Sequence, residues 1–312
     1  MIEEFLWVEK YRPKTVADTI LPIELKKTFQ QFVDQKNVPN LILSGSAGVG
    51  KTTIAKAMLD ELGCDYLVIN GSLDRNIDTL RVTIQQFASS VSFLGGRKYV
   101  ILDEADYLNA NSTQPALRNF MEEFSSNCGF ILTCNYKTKI IAPLHSRCSV
   151  VEFNIDKKEA VSLKTQFYKR VVHILKTENI SYEKEVVAEF INKYYPDWRR
   201  IINELQRYSA TGKIDSGILT NFHEVSIKEL MGYLKEKDWS SARKWAAENS
   251  QTDPNQIFRK LYDSASNYMD QPSVARLTMI IAESQYRAAF VVDQEINMAD
   301  CLAKIMVDCD FR

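Results

Sequence analysis

The chain has 312 residues, 45% apolar and 25% charged, with 39 Lys and Arg against 40 Asp and Glu. That is enough sequence for two or three domains with substantial cores, and a net charge of −1 excludes a general basic coat for nucleic acid while leaving room for a local basic patch. No run approaches the ~18 apolar residues of a membrane helix, so no membrane is expected among its partners, and Met1-Ile2-Glu3-Glu4-Phe5 lacks the basic start and apolar core of a signal peptide.

The first patterned stretch, Leu6 to Val16, mixes aromatic, basic and proline residues, and Pro13 keeps the backbone extended or turning there. It reads either as an ordered arm packed on the core or as half of an adenine pocket, because an apolar slot with a few backbone polar groups suits a purine. Ile23 to Val38 reads as an amphipathic helix. Pro39 to Ser44 is a short apolar strand that runs into Gly45-Ser46-Ala47-Gly48-Val49-Gly50-Lys51-Thr52. This fits G-x-x-x-x-G-K-[ST], a loop whose glycines let successive N–H groups point inward at phosphate oxygens. Lys51 brings a flexible positive charge to the β- and γ-phosphates, and the Thr52 hydroxyl is a suitable Mg²⁺ ligand. The helical run that begins at Thr53 presents its N-terminus to the same phosphates.

Tyr66 to Asn70 reads as a strand, and Asp74 to Ser90 as a helix with Ile77, Leu80, Ile84 and Phe87 near helical spacing. Gly95-Gly96 marks a loop. Lys98 to Asp106 is a buried strand ending in acids, Asn111 to Pro115 starts a helix, Gly129 to Asn135 is a further apolar strand, and Ser149 to Phe153 is a short last one. Strands alternating with helices imply a parallel sheet covered on both faces. From Asp156 onward no convincing strand is expected. Helices are predicted over Lys157–Glu178, Glu183–Tyr194 and Asp197–Ser209, then a linker over Thr211–Gly217, then several helices over 225–312 without evident chemistry. The cysteines at 64, 128, 134, 148, 301 and 309 show no C-x-x-C or metal spacing and read as reduced, largely buried thiols.

Asp103 and Glu104 follow four apolar residues at a strand end. After a phosphate loop, Asp103 is placed to hold Mg²⁺ through water, and Glu104 to orient and polarise an attacking water. Without the loop, two adjacent carboxylates would read as a solvated turn. Asn135 closes the neighbouring strand, where an amide reaches a γ-phosphate or the water.

Taken together, Leu6-Trp7-Val8-Glu9-Lys10-Tyr11-Arg12-Pro13, the loop Gly45 to Thr52, Asp103-Glu104-Ala105-Asp106, Thr133-Cys134-Asn135-Tyr136, Ser146-Arg147-Cys148 and Tyr195 to Leu205 resemble the sliding-clamp loader ATPases of the AAA+ superfamily, and among them the T-even phage group most closely. The resemblance covers residues 6 to 206. It implies an α/β AAA+ P-loop NTPase domain with a parallel sheet (1–155), a helical lid (156–212) and an all-α oligomerisation collar (213–312). Val8, Tyr11, Arg12 and Pro13 would line the adenine pocket. Gly48, Val49, Gly50, Lys51, Thr52 and Thr53 would hold the phosphates, and Thr52 and Asp103 the Mg²⁺. Lys51, Glu104 and Arg147 would be catalytic, Arg147 as an arginine finger on a neighbouring subunit's ATP. Asn135 and Arg199 would be the two sensors, with Arg200 the alternative to Arg199. Arg75, Asn76, Thr79 and Arg81 would track template phosphates from a helix start.

The implied activity is DNA-dependent ATP hydrolysis with ATP and Mg²⁺ as cofactors. It would open a ring-shaped clamp and load it on primer–template DNA in replication. The implied partners are the clamp, the DNA and other subunits of a hetero-pentamer, in the cytoplasm of an infected bacterium if the phage resemblance holds. The chain departs from the family at Ser46 for Pro, Asn76 for Gly and Pro196 for Gly, and lacks the zinc-binding cysteines of bacterial loaders. The alternative is another AAA+ DNA-remodelling ATPase, a helicase or helicase loader. A small-molecule P-loop kinase needs neither a trans Arg nor a long helical tail, and a non-hydrolysing scaffold would not keep Lys51, Thr52, Asp103, Glu104 and Arg147 together.

Overall fold

An arm with one helical turn, α1 (Trp7–Lys10), leads to α2 (Ile23–Asp34), and strands and helices then alternate: β1 (Leu41–Ser44), α3 (Lys51–Leu62), β2 (Tyr66–Asn70), α4 (Ile77–Ser89), β3 (Lys98–Asp103), α5 (Thr113–Glu123), β4 (Cys128–Cys134), α6 (Ala142–His145) and β5 (Ser149–Glu152). The computed structural model describes residues 5–73, 77–92, 95–154, 156–210, 212–220, 227–249 and 252–312. The five strands pair in parallel in the order β2-β3-β4-β1-β5. Period-two alternation sorts their side chains to two faces. Ile42, Val100, Leu102, Phe130 and Leu132 meet Leu80 and Ile84 of α4 and Leu117 and Phe120 of α5. Leu41, Leu43, Tyr99, Ile101 and Ile131 meet Phe29 of α2 and Ile54 and Met58 of α3. Burial on both faces is why β1, β3 and β4 are near-continuous apolar runs in sequence.

α2 stops at Asp34, short of the predicted Val38, and Lys36 turns the chain at φ 51. After β5 come α7 (Lys157–Thr177), β6 (Ser181–Tyr182), α8 (Lys184–Tyr194), α9 (Trp198–Ser209), β7 (Lys213–Ile214) and α10 (Gly217–Thr220). The Asp156 carboxylate caps α7 by accepting the Lys158 N–H at 3.1 Å. No strand was expected here, yet β6 and β7 pair in parallel, Ser181 opposite Lys213 and Tyr182 opposite Ile214, where the sequence suggested a linker. Two residues are too few to show a period, and the pair is fixed from outside by burial of Ile214, by the Glu183 N–H donating to Ile214 O at 3.0 Å and by the Lys213–Glu183 ion pair at 2.8 Å.

The N-terminal arm is laced to these helices. The Trp7 N–H donates to Gln206 Oε1 at 2.9 Å, and Gln206 Nε2 donates back to Phe5 O at 2.8 Å. Lys10 Nζ donates to Glu178 Oε1 at 2.7 Å, and the Tyr11 hydroxyl donates to the same oxygen. At its other end the Val16 N–H donates to Glu61 Oε2 on α3 at 2.7 Å.

The chain divides into compact units Met1–Leu219 and Thr220–Arg312. The second contains α11 (Ile227–Glu236), α12 (Trp239–Glu248), α13 (Pro254–Ser264), α14 (Gln271–Ala288) and α15 (Gln294–Asp308). Asp238, Asp253, Asp270 and Asp293 each cap the helix that follows by accepting a first-turn N–H. Leu234, Trp245, Phe258, Leu277 and Leu302 join in its core. Among the described residues no helix is long and apolar enough to cross a membrane. All six cysteines are free thiols. Burial raises several of them, Cys148 to about 12 and Cys301 to about 11.

Hydrogen bonds from Lys10 and Tyr11 hold the Glu178 carboxyl below its ordinary 4.5. The folded state therefore favours the charged form. The stabilisation is present above the unfolded value and is lost as the pH falls through the folded one. Glu178→Gln should lower the thermal midpoint at neutral pH by about 1–3 °C, the scale of a solvent-accessible pair in a chain of this size. The gap from the parent should close as melts are taken below the ordinary carboxylate pKa; a gap that ignores pH would remove Glu178 from this role.

Candidate nucleotide-binding site

β1 ends at Ser44, and the loop that follows takes left-handed backbone at Gly48 (φ 73) and Gly50 (φ 98), conformations that side chains with a Cβ resist. α3 then starts at Lys51, which is buried. Its Nζ donates to Gly45 O at 2.8 Å, Ser46 O at 2.7 Å and Asn135 Oδ1 at 2.9 Å. Burial pushes the ammonium below its ordinary 10.5, against the opposing pull of Cys134, Asp103 and Asp106. A cation in a poorly hydrated position beside a helix N-terminus is a seat for a phosphate.

Asp103 stands at the end of β3, next to the loop. Its Oδ1 accepts from Thr52 Oγ1 at 2.5 Å and from Thr133 Oγ1 at 2.6 Å. Glu104 follows in left-handed backbone, φ 55 and ψ 43, and its N–H donates to Thr133 Oγ1 at 3.1 Å. Asp106 is buried and its Oδ2 accepts the N–H groups of Asn135 at 3.2 Å and Tyr136 at 3.3 Å. One carboxylate thus holds the backbone on which the Asn135 amide is carried to Lys51.

Lys51, Thr52, Asp103, Glu104 and Asn135 face an open cleft. Val8, Tyr11, Arg12 and Pro13 of the arm line it, with Gly48, Val49, Gly50, Lys51, Thr52, Thr53, Asp103, Glu104, Asn135 and Arg199. Arg12 is turned by Glu9, which accepts from its Nε at 2.9 Å, and its Nη1 donates to Thr53 Oγ1 at 3.4 Å. The Arg12 hydrogen bond keeps the Glu9 carboxyl below its ordinary range. Arg199 lines the cleft, whereas the Arg200 guanidinium lies over the Tyr194 ring, 4.6 Å from its centre.

The sequence did not mark Ile20, Leu21, Phe167, Arg170, Trp198 and Ile202, which complete the walls. The Phe167 and Trp198 rings stack at 4.2 Å, and the one available signal was a Trp immediately before Arg199. α9 also rests directly on the phosphate loop. The Trp198 N–H donates to Gly48 O at 3.2 Å, and the Asp197 carboxylate accepts the Arg200 N–H at 3.0 Å.

The remaining predicted residues lie elsewhere. Arg147 is not on the cleft wall. Its Nε and Nη2 donate to Glu122 Oε1 of α5, the first at 2.8 Å, and its Nη1 donates to Pro143 O at 3.0 Å. Hydrogen bonding to Arg147 keeps the Glu122 carboxyl low. Thr79 is in the first turn of α4 and Arg81 in the same helix is exposed. Arg75 and Asn76 lie outside the described residues.

For a metal, the Thr52 hydroxyl and the Asp103 carboxylate offer two hard oxygens side by side. Among the described residues no group of three or more His, Cys, Asp or Glu could hold an ion. The Thr52–Asp103 pair fits Mg²⁺, which takes one or two protein oxygens and completes its shell with water and phosphate.

Fold and cleft together define a P-loop nucleotide-binding domain closed by a helical lid. Residues 41–155 match the ATPase family associated with various cellular activities (AAA), and residues 159–220 match the sliding-clamp-loader large subunit, AAA+ ATPase lid domain. The chain is 35% identical to the sliding-clamp-loader large subunit of Enterobacteria phage T4 over 99% of this chain and 98% of that one. It is 40% identical to that of Escherichia phage RB69 over 80% of each. It is 33% identical to the replication factor C small subunit of Saccharolobus solfataricus over 98% of this chain and 96% of that one. In fold it is similar to a Thermotoga maritima RuvB mutant structure, with a TM-score of 0.54 at 18% identity over 80% of this chain and 85% of that one. The chain belongs to the sliding-clamp-loader family of AAA+ ATPases.

A Cβ on Gly48 would fall 1.8 Å from Asp197 Oδ1, at a φ that L residues rarely adopt. Gly48→Ala should therefore cost about 1–2 kcal/mol of stability and weaken nucleotide binding by displacing α9. Adding Asp197→Ala should recover the part due to the clash but not the part due to φ. Melting and fluorescent-nucleotide titration of the single and double variants check this, and a Gly48→Ala chain with parental values on both would show that the loop and α9 do not depend on this contact.

Proposed function

We propose that the chain is the ATPase subunit of a sliding-clamp loader, which binds ATP in the cleft and uses DNA-stimulated hydrolysis to open a ring clamp and load it on primer–template DNA. The observation that carries this is the meeting of Lys51, Thr52, Asp103, Glu104, Asn135 and Arg199 in one cleft, on a chain whose lid belongs to the loader family. A helicase or helicase loader is not favoured by that lid or by relatives along nearly the whole chain. The relatives' names point to the partners: a clamp, DNA and further loader subunits. The phage resemblance points to the cytoplasm of an infected host.

Where each residue stands supports the part assigned to it. The loop N–H groups and Lys51 hold the triphosphate and take up charge on the β- and γ-phosphates. Thr52 and Asp103 would hold Mg²⁺, which would supply positive charge against that of the phosphates. Glu104 orients the attacking water and draws on its proton. Asn135, held by Asp106 and bonded to Lys51, reads the γ-phosphate, and Arg199 carries the same information to the lid. The base lies between the arm and the wall formed by Phe167 and Trp198.

Arg147 acts outside its own cleft. It stands in the turn between α6 and β5, and a guanidinium aimed at a neighbour's γ-phosphate neutralises charge that its own subunit cannot reach, an effect of roughly 10³–10⁵ in rate for arginine fingers. Glu122 holds it until a neighbour docks. Arg75, Asn76, Thr79 and Arg81 supply DNA phosphate contacts, as the sequence resemblance implies. Residues after Leu219 form the collar that joins subunits, which exposed Tyr286, Phe290, Val292 and Ile296 support. We place the edge of the lid there, and not at 212, because β7 pairs with β6.

The direct test is the ATPase rate of the assembled chain with and without primed DNA and clamp. It should rise with both, and Arg75→Ala with Arg81→Ala should blunt the DNA response while leaving ATP affinity alone. A rate indifferent to DNA would refute the loader reading.

Arg147→Ala and Lys51→Ala chains, each inactive alone, should regain part of the rate when mixed, because interfaces that pair an intact phosphate loop with an intact Arg147 form only in the mixture. No recovery under assembling conditions would withdraw the trans assignment.

A further inference from the structure

Thr133 sits at the end of β4, two residues before Asn135, and is 2% exposed. The sheet register puts Leu102 opposite Leu132, so the next residues on the two strands, Asp103 and Thr133, emerge side by side. The Thr133 hydroxyl is engaged in both directions. It donates to Asp103 Oδ1 at 2.6 Å and accepts the Glu104 N–H at 3.1 Å. A hydroxyl has one proton. With that proton committed to Asp103, the lone pair turned to Glu104 is fixed as well. Glu104 needs such support, because it stands in left-handed backbone at φ 55 and ψ 43, where a side chain with a Cβ persists only if its surroundings hold it.

We propose that Thr133 is a positioning residue for ATP hydrolysis: by holding the Glu104 N–H it keeps that residue left-handed and its carboxylate aimed into the cleft. This rests on the reading of Glu104 as the group that orients the attacking water. The φ and ψ of Glu104 set where its Cβ points and so from which side its side chain enters the cleft that it lines. If the N–H were released, the backbone would relax toward the right-handed or extended regions and the carboxylate would swing away from the γ-phosphate. The bond from Thr133 to Asp103 spends the hydroxyl proton and so turns the oxygen's lone pair to the Glu104 N–H. Asp103 Oδ1 also accepts from Thr52, so that acid keeps a partner of its own without Thr133. Neither bond reaches the arm, the lid or the phosphate loop backbone, so the base and phosphate seats do not depend on Thr133.

The test compares Thr133→Val, which keeps the shape and deletes both bonds, with Thr133→Ser, which keeps both bonds. Both are made in the full chain, assembled with its partner subunits on primed DNA, and also on a Glu104→Gln background. Thr133→Val should lower kcat about a hundredfold, the scale of a misplaced reacting group, with fluorescent-ATP affinity unchanged. Thr133→Ser should stay within about threefold of the parent, because it keeps the orienting bonds on which that positioning rests. On the Glu104→Gln background, Thr133→Val should add less than about threefold, since a residue that acts through Glu104 has nothing left to lose. Melting curves accompany every variant, and Thr133→Ala, which also deletes both bonds, replaces Thr133→Val if the latter does not fold. A Thr133→Val chain with parental kcat, a Ser variant as slow as the Val variant, or an equal loss on both backgrounds would overturn the proposal. Parental turnover by Glu104→Gln itself would instead overturn the hydrolysis reading beneath it.

Discussion

A buried ammonium must be surrounded by oxygen, and the Lys51 Nζ meets that demand with two carbonyls of its own loop and the Asn135 amide. Much of the site follows from satisfying this one charge. The carbonyls of Gly45 and Ser46 turn inward only if the loop doubles back, and it doubles back through the left-handed backbone of Gly48 and Gly50. The amide reaches Lys51 only if β4 lies next to β1, which is the sheet order observed. Asp106 then fixes the backbone at Asn135 and Tyr136. A cation, two turns and a strand order are therefore one arrangement.

The wall opposite the phosphates is built differently. It comes from the arm and from α7 and α9, elements far apart in sequence, and it is held by aromatic stacking of Phe167 on Trp198 and by hydrogen bonds from the arm to Gln206 and Glu178. The lid touches the loop itself through Trp198 and Gly48. The cleft is lined from both walls, and α9 borders it directly through Trp198, Arg199 and Ile202.

What the sequence made legible divides along the same line. The phosphate loop, the acids of β3 and Asn135 at the end of β4 were readable because their chemistry is local: a glycine spacing, a strand followed by carboxylates, a polar residue closing an apolar run. The sheet was readable because strands buried on both faces are unmistakably apolar. Phe167, Ile202 and Arg170 were not readable, since a residue on an amphipathic helix gives no sign of which apolar neighbour it will face. The β6–β7 pair escaped because two residues carry no period. The grip of Glu122 on Arg147 escaped because Glu122 lies on a helix well before the Ser146-Arg147-Cys148 turn, and nothing in either segment marks the other.

The lacing of the arm has a consequence for how the chain comes to be folded. The Trp7 amide and its Gln206 partner are separated by 199 positions, and the Tyr11 and Glu178 side chains by 167. On a ribosome adding about 5–20 residues per second, the arm emerges before the helices that receive it and waits many seconds for them. The parallel sheet can form in that interval from residues already made, but the wall built from the arm, α7 and α9 cannot. Closure of so long a loop costs little more entropy than closure of a moderate one, so the delay is set by synthesis and not by search. Until α9 is made Trp7 has no Gln206 to receive it, and a nascent chain halted before α9 holds a finished phosphate loop beside a wall that lacks Trp198.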